Sequence, residues 1–99
     1  FIVVPFFGTQ MVRWAPGDSG VQPVATGPGQ QDGIEPIGGG RFLVSAWIDS
    51  SLIVVEGNRA TRVVGGVPSA ADIGWDPTRR HAAVPLLMEG RVEIWQLPN

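Results

Sequence analysis

RFLVSAW at residues 41–47, followed after Ile48-Asp49-Ser50-Ser51 by LIVV at residues 52–55, is the stretch that decides how this chain folds. It returns as HAAVPLL at residues 81–87 and, after the four residues 88–91, as VEIW at residues 92–95. IVVPFF at residues 2–7 with VRW at residues 12–14 is a third version of the same unit. Each half is a short run rich in Val, Ile, Leu and aromatic residues, bounded by Gly, Asp or Ser, and that is the pattern of a buried strand. Two such runs a few residues apart make a hairpin, so the neighbours are antiparallel.

Working outward, the same reading places strands at residues 1–6, 10–14, 21–25, 41–47, 52–55, 60–64, 81–87 and 92–97, with weaker ones at 34–37 and 73–75. Between them stand turn formers: Pro16-Gly17-Asp18, Gly38-Gly39-Gly40, Glu56-Gly57-Asn58 and Asp76-Pro77-Thr78. These residues supply positive φ, a preset proline φ or an Asx side chain that closes on nearby backbone. No segment has a helical period. Val4, Val44 and Val84 lie forty apart, Val12, Leu52 and Val92 share one column, and Asp32 meets Asp72 at the same offset. A period of about forty residues holding four strands is the size of one propeller blade. The expected fold is therefore all-β, a partial β-propeller of about two and a half four-stranded antiparallel blades. Residues 1–26 read as a partial blade, 27–66 as a full blade and 67–99 as a partial last blade.

Composition agrees and removes several functions. Among 99 residues there are 14 Gly and 9 Pro, while charged residues reach only 16%, so many turns separate short apolar segments. A net charge of −2 gives no electrostatic grip on a phosphate backbone or an anionic membrane, so neither nucleic acid nor membrane is expected as a partner. With no cysteine, disulfides, thiolate metal sites and cysteine nucleophiles are excluded. The opening apolar run is cut by Pro5 and lacks a leading methionine, which reads as the edge of a fragment. Two and a half blades cannot close a ring, so missing blades or self-association are expected to cover the open faces.

The segment DGIEPIGGGRFLVSAWIDSSLIVV at residues 32–55 resembles a blade of the senescence-marker-protein, gluconolactonase and luciferin-regenerating-enzyme superfamily of six-bladed propellers. Residues 67–97, VPSAADIGWDPTRRHAAVPLLMEGRVEIWQL, resemble the next blade. The likeness covers roughly two thirds of the chain. Strictosidine-synthase-like and NHL-repeat propellers share much of this blade pattern. The resemblance implies a C-terminal part of a gluconolactonase-like propeller, hydrolysing lactones or related esters with a divalent metal ion, calcium first and zinc, magnesium or manganese as other candidates. Asp32, in its D-G-I context, matches the family's metal-binding aspartate. A glutamate and an asparagine that complete the family's ligand set would lie upstream of Phe1. Asp72 falls one blade later, but Ile73 replaces the glycine and the family has no ligand there, so Asp72 is carried as a channel-facing polar residue.

Two readings of Asp32 stand open on the residues alone. A carboxylate ahead of an inner strand, beside a glycine that lets other groups approach, suits a hard cation at a propeller rim. It equally suits a turn residue capping backbone amides. The expected partner is a small-molecule substrate or ligand in the central channel, and the alternative function is a non-catalytic propeller serving as a ligand-binding or protein-interaction scaffold. His81 has no second ligand at a familiar spacing and reads as a surface residue. Trp14, Trp47, Trp75 and Trp95 read as packing between blades. Gly38-Gly39-Gly40 lacks the Lys-Ser/Thr of a phosphate loop, Asp49-Ser50-Ser51 has no histidine for a triad, and Arg79-Arg80 reads as a solvated pair.

Overall fold

The computed structural model describes residues 1–98. They form ten strands in three antiparallel sheets, each built from consecutive strands in chain order. The first sheet holds β1 (Ile2–Val3), β2 (Gln10–Arg13) and β3 (Gln22–Thr26). The second holds β4 (Gln31–Gly38), β5 (Arg41–Ala46), β6 (Ser51–Glu56) and β7 (Arg59–Val64). The third holds β8 (Gly74–Asp76), β9 (His81–Leu86) and β10 (Arg91–Gln96), with a short 3-10 turn at Leu87–Glu89. Every expected strand is found. No helix among the described residues is long and apolar enough to cross a membrane.

The bounds differ where local chemistry intervenes. The first strand ends at Val3 rather than running to residue 6, because Pro5 has no N–H for the ladder. The carbonyls of Pro5 and Phe6 instead accept the N–H groups of Gln31 and Gln30, which ties the first sheet to the start of β4. β4 begins at Gln31, three residues ahead of the expected start, and draws Asp32 and Gly33 into the strand.

The forty-residue repeat is visible in the backbone. Leu43 pairs with Val54 and Val44 with Ile53, and forty residues on Ala83 pairs with Ile94 and Val84 with Glu93. Turn positions repeat as well: Gly40 and Arg80, Ser50 and Gly90, and Gly17 and Gly57 each share a positive φ. In the first sheet Val3 pairs with Val12, so its hairpin is equivalent to the second at an offset of forty-one rather than forty. Val3, not Val4, thus stands where Val44 does. A register shift falls between Met11 and Val12 and again between Leu52 and Ile53, the same place in both sheets under that offset.

Two apolar clusters join the sheets, one on each face of the middle one. Val44, Ile53 and Val55 pack with Met11 and Ala25 of the first sheet. Leu43 and Leu52 pack with Ala82, Val84 and Leu86 of the third, together with Val67, Ala70 and Ile73. Alternate residues of a strand point to opposite faces, so a strand covered on both sides is apolar at consecutive positions. That is why residues 43–46 are all buried while β10 is almost wholly exposed. Like strands lie beside like: β3 approaches β7, and β4 approaches β8.

Candidate functional site

Asp32 lies at the end of the middle sheet where β4 begins, β5 ends and β6 begins. Gln31 pairs with Ala46 and Ile34 with Val44, so Asp32 and Gly33 together oppose the single residue Ser45. This is a β-bulge, which bends the strand and re-aims side chains. The extra residue leaves the Gly33 N–H without a ladder acceptor, and the fully buried Ser45 hydroxyl takes it at 2.8 Å. The same oxygen donates to the carbonyl of Ala71, also at 2.8 Å. Gly33 is required here by space: a Cβ would stand 2.5 Å from the Ile73 nitrogen and 2.9 Å from the Asp72 Cα.

Asp32 and Asp72, the two carboxylates singled out from the sequence, are therefore brought to neighbouring backbone positions, Asp32 on β4 and Asp72 in the bend just ahead of β8. Both are exposed. The Asp32 Oδ2 accepts the indole N–H of Trp47 at 3.1 Å, while the Trp47 backbone N–H donates to the Gln30 carbonyl at 2.8 Å. Phe6 meets the Trp47 ring edge-on at 5.8 Å between centroids. Beneath them Gln31, 1% exposed, donates its amide to the carbonyls of Thr9 and Pro28, and its Oε1 has no partner among the described residues. The end of the sheets carrying Asp32 is thus polar and cross-linked by hydrogen bonds, and segments beside all three sheets meet there.

The donor set is small. Among the described residues, no group of three or more His, Cys, Asp or Glu stands close enough together to hold a metal ion. Asp32 offers one carboxylate, already engaged on one oxygen, and a calcium ion takes six to eight oxygen ligands. The residues present do not by themselves make a metal centre. The concavities between the sheets also lie away from Asp32. One is lined by Ile2, Arg13, Phe42 and Val55, near the Gly40 and Gly57 turns at the opposite end of the strands, and another by Ile37, Arg41, Val54 and Arg80.

The other residues weighed from the sequence are spread over the fold. His81 is half-buried at the start of β9, paired with Asp76 on one side and Gln96 on the other. Of the four tryptophans only Trp75 packs against a core cluster. Trp14 stacks on Phe1 at 6.0 Å, Trp47 serves Asp32, and Trp95 donates to Glu93. Packing between sheets thus accounts for Trp75 alone, a stacked Phe1 holds Trp14, and an indole hydrogen bond engages Trp47 and Trp95. Arg79 and Arg80 are not simply solvated. Arg79 pairs with Asp76 at 2.8 Å, and the Arg80 guanidinium lies 5.2 Å from the Trp75 ring centre. Arg79, first through its side-chain hydrogen bond, holds the Asp76 carboxyl below its ordinary range.

Ser45 escaped the sequence reading, and Trp47, read there as packing between blades, instead donates its indole N–H to Asp32. A hydroxyl in the middle of FLVSAW was the available signal, since a polar group in a doubly buried strand must find partners. No family model, no curated protein and no solved structure matches this chain.

Proposed function

We propose that the three sheets are consecutive blades of a β-propeller, that the Asp32 end is its ligand end, and that the complete ring is a divalent-metal-dependent hydrolase of lactones or related esters. The observation that carries the architecture is the stacking of like strand on like, β3 by β7 and β4 by β8. Blades arranged around an axis need their first strands together on one edge and their last strands on the other. Asp32 stands on the first strand of the complete sheet, exposed, with one carboxylate oxygen uncommitted. It is the hard-oxygen donor that calcium or magnesium takes. The hydrolytic part of the reading rests on the resemblance of residues 32–55. Asp32 is one donor of a set completed from elsewhere, and no catalytic step is assigned to this chain.

A second reading, a propeller that binds a small ligand or a protein without turnover, draws on the Trp47 hydrogen bond. That bond gives Asp32 a structural partner within its own sheet. Titration of the complete protein, carrying the donors that complete the Asp32 set, with calcium, and separately with zinc, magnesium and manganese, tests the two. Trp47 reports the event, because an ion drawing Asp32 away from the indole changes its fluorescence. The hydrolase reading expects a cation-dependent fluorescence change and rise in Tm, both abolished in Asp32→Asn. No response to any of the four ions, with no lactone turnover, rejects it.

A further inference from the structure

We infer that a second copy of this chain docks head to tail, its β1–β3 sheet seated on the open face of the β8–β10 sheet. The inference deepens the propeller reading and rests on its stacking, not on Asp32.

The middle sheet shows what each face is for. Leu43 and Leu52, fully buried, are the residues it turns toward the third sheet. Forty residues on, at the same pairing positions, the third sheet carries Ala83 and Val92, with Ile94 standing where Val54 does. Among the described residues nothing covers them: Val92 and Ile94 are each 61% exposed. At the other end, Val44 and Ile53 are the residues the middle sheet turns toward the first. Forty-one residues earlier stand Val3, which is 50% exposed, and its partner Val12. Phe1, 77% exposed, stacks on Trp14 beside them on this same outer side.

The two open faces are therefore opposite halves of one interface, which the chain already makes twice internally. The β8–β10 face repeats the surface by which the second sheet receives the third. The β1–β3 face repeats the surface by which the second sheet docks on the first. A contact of this kind is heterologous: one copy's last sheet receives the next copy's first, closing into a ring where the rotation allows. Neither face meets its own kind. Exposed apolar residues on whole sheet faces are otherwise a liability in water.

Sedimentation velocity of the full chain across a wide concentration range tests this. Wild type is expected as a discrete multiple of the chain mass, dissociating on dilution. Ile94→Glu alters only the last face and Val3→Glu only the first. Each is expected to lose discrete association by about tenfold or more in affinity, with far-UV circular dichroism unchanged. Mixed together, the two variants retain one intact face each and are expected to form a one-to-one dimer, which a like-on-like interface cannot do. Asp32→Asn should leave association untouched, so cation binding and assembly fail independently. A monomer at every concentration overturns the inference and leaves the faces to another polypeptide. Association that survives both variants, or variants that do not combine, also overturns it.

Discussion

Ser45 holds Ala71 across the gap between two sheets: its hydroxyl donates to the Ala71 carbonyl at 2.8 Å while accepting the Gly33 N–H at the same distance. One buried side chain thus completes a bulge in its own sheet and fastens the next sheet to it. The Asp32 end of the stack owes its alignment to this bridge. Both groups that Ser45 satisfies are backbone atoms of segments carrying an exposed aspartate.

Ser45→Ala removes both bonds without creating much space. It leaves the Gly33 N–H and the Ala71 carbonyl unpaired, at about 1–3 kcal/mol for each buried group left without a partner. Urea unfolding should show a lower midpoint with little change in slope. A midpoint equal to that of wild type would mean that water replaces the hydroxyl.

Gly33→Ala drives a methyl group into the backbone of residues 71–73. Backbone cannot swing aside as a side chain can, so overpacking of about 1–3 kcal/mol is expected. Gly17→Ala is the control, for its φ is +97° but nothing lies within 4 Å of the added carbon. Its cost comes from backbone conformation alone, about 1–2 kcal/mol. Only Gly33→Ala should loosen hydrogen-exchange protection of the Ala71 N–H, which donates to the Pro85 carbonyl at 2.9 Å.

Leu52 and Val92 occupy one column of the repeat but different surroundings. Leu52→Ala empties a fully buried site between two sheets and should cost about 2–5 kcal/mol. Val92→Ala, at an exposed position of β10, should stay within about 0.5 kcal/mol in dilute solution. Equal losses at the two sites would mean that the third sheet is already covered.

Acid should act on the β8–β9 turn. The Asp76 carboxyl lies below its ordinary value through the Arg79 side chain and the N–H groups of Arg79 and Thr78. A depressed carboxyl stabilises the fold above its unfolded-state value and loses that contribution as pH falls through the folded-state value. Between about pH 4 and 2 the Tm of wild type should therefore fall faster than that of Asp76→Asn, because the amide does not titrate. Glu93, lowered first by its hydrogen bond from Arg91, adds to the same slope in both proteins.

Much of this arrangement was legible in residue order. RFLVSAW and HAAVPLL announce their strands, and the glycine, proline and aspartate clusters announce the turns, because both signals are local: a period of two and a preset or positive φ. The bulge was not legible, since nothing in D-G-I says that two residues will face one. Nor was the slip of the first hairpin to an offset of forty-one, which depends on where Pro5 ends a ladder.

By itself, the order of residues determined an all-β chain of short antiparallel hairpins on a repeat near forty, without thiol chemistry or a basic surface. Only the tertiary structure decided that Ser45 bridges two sheets, that Trp47 takes Asp32, and that Leu52 is buried while Val92 is bare. Those outcomes turn on which face of a sheet meets another. A strand carries apolar residues outward on both sides whether or not a neighbour arrives, so burial is settled between sheets and not within them.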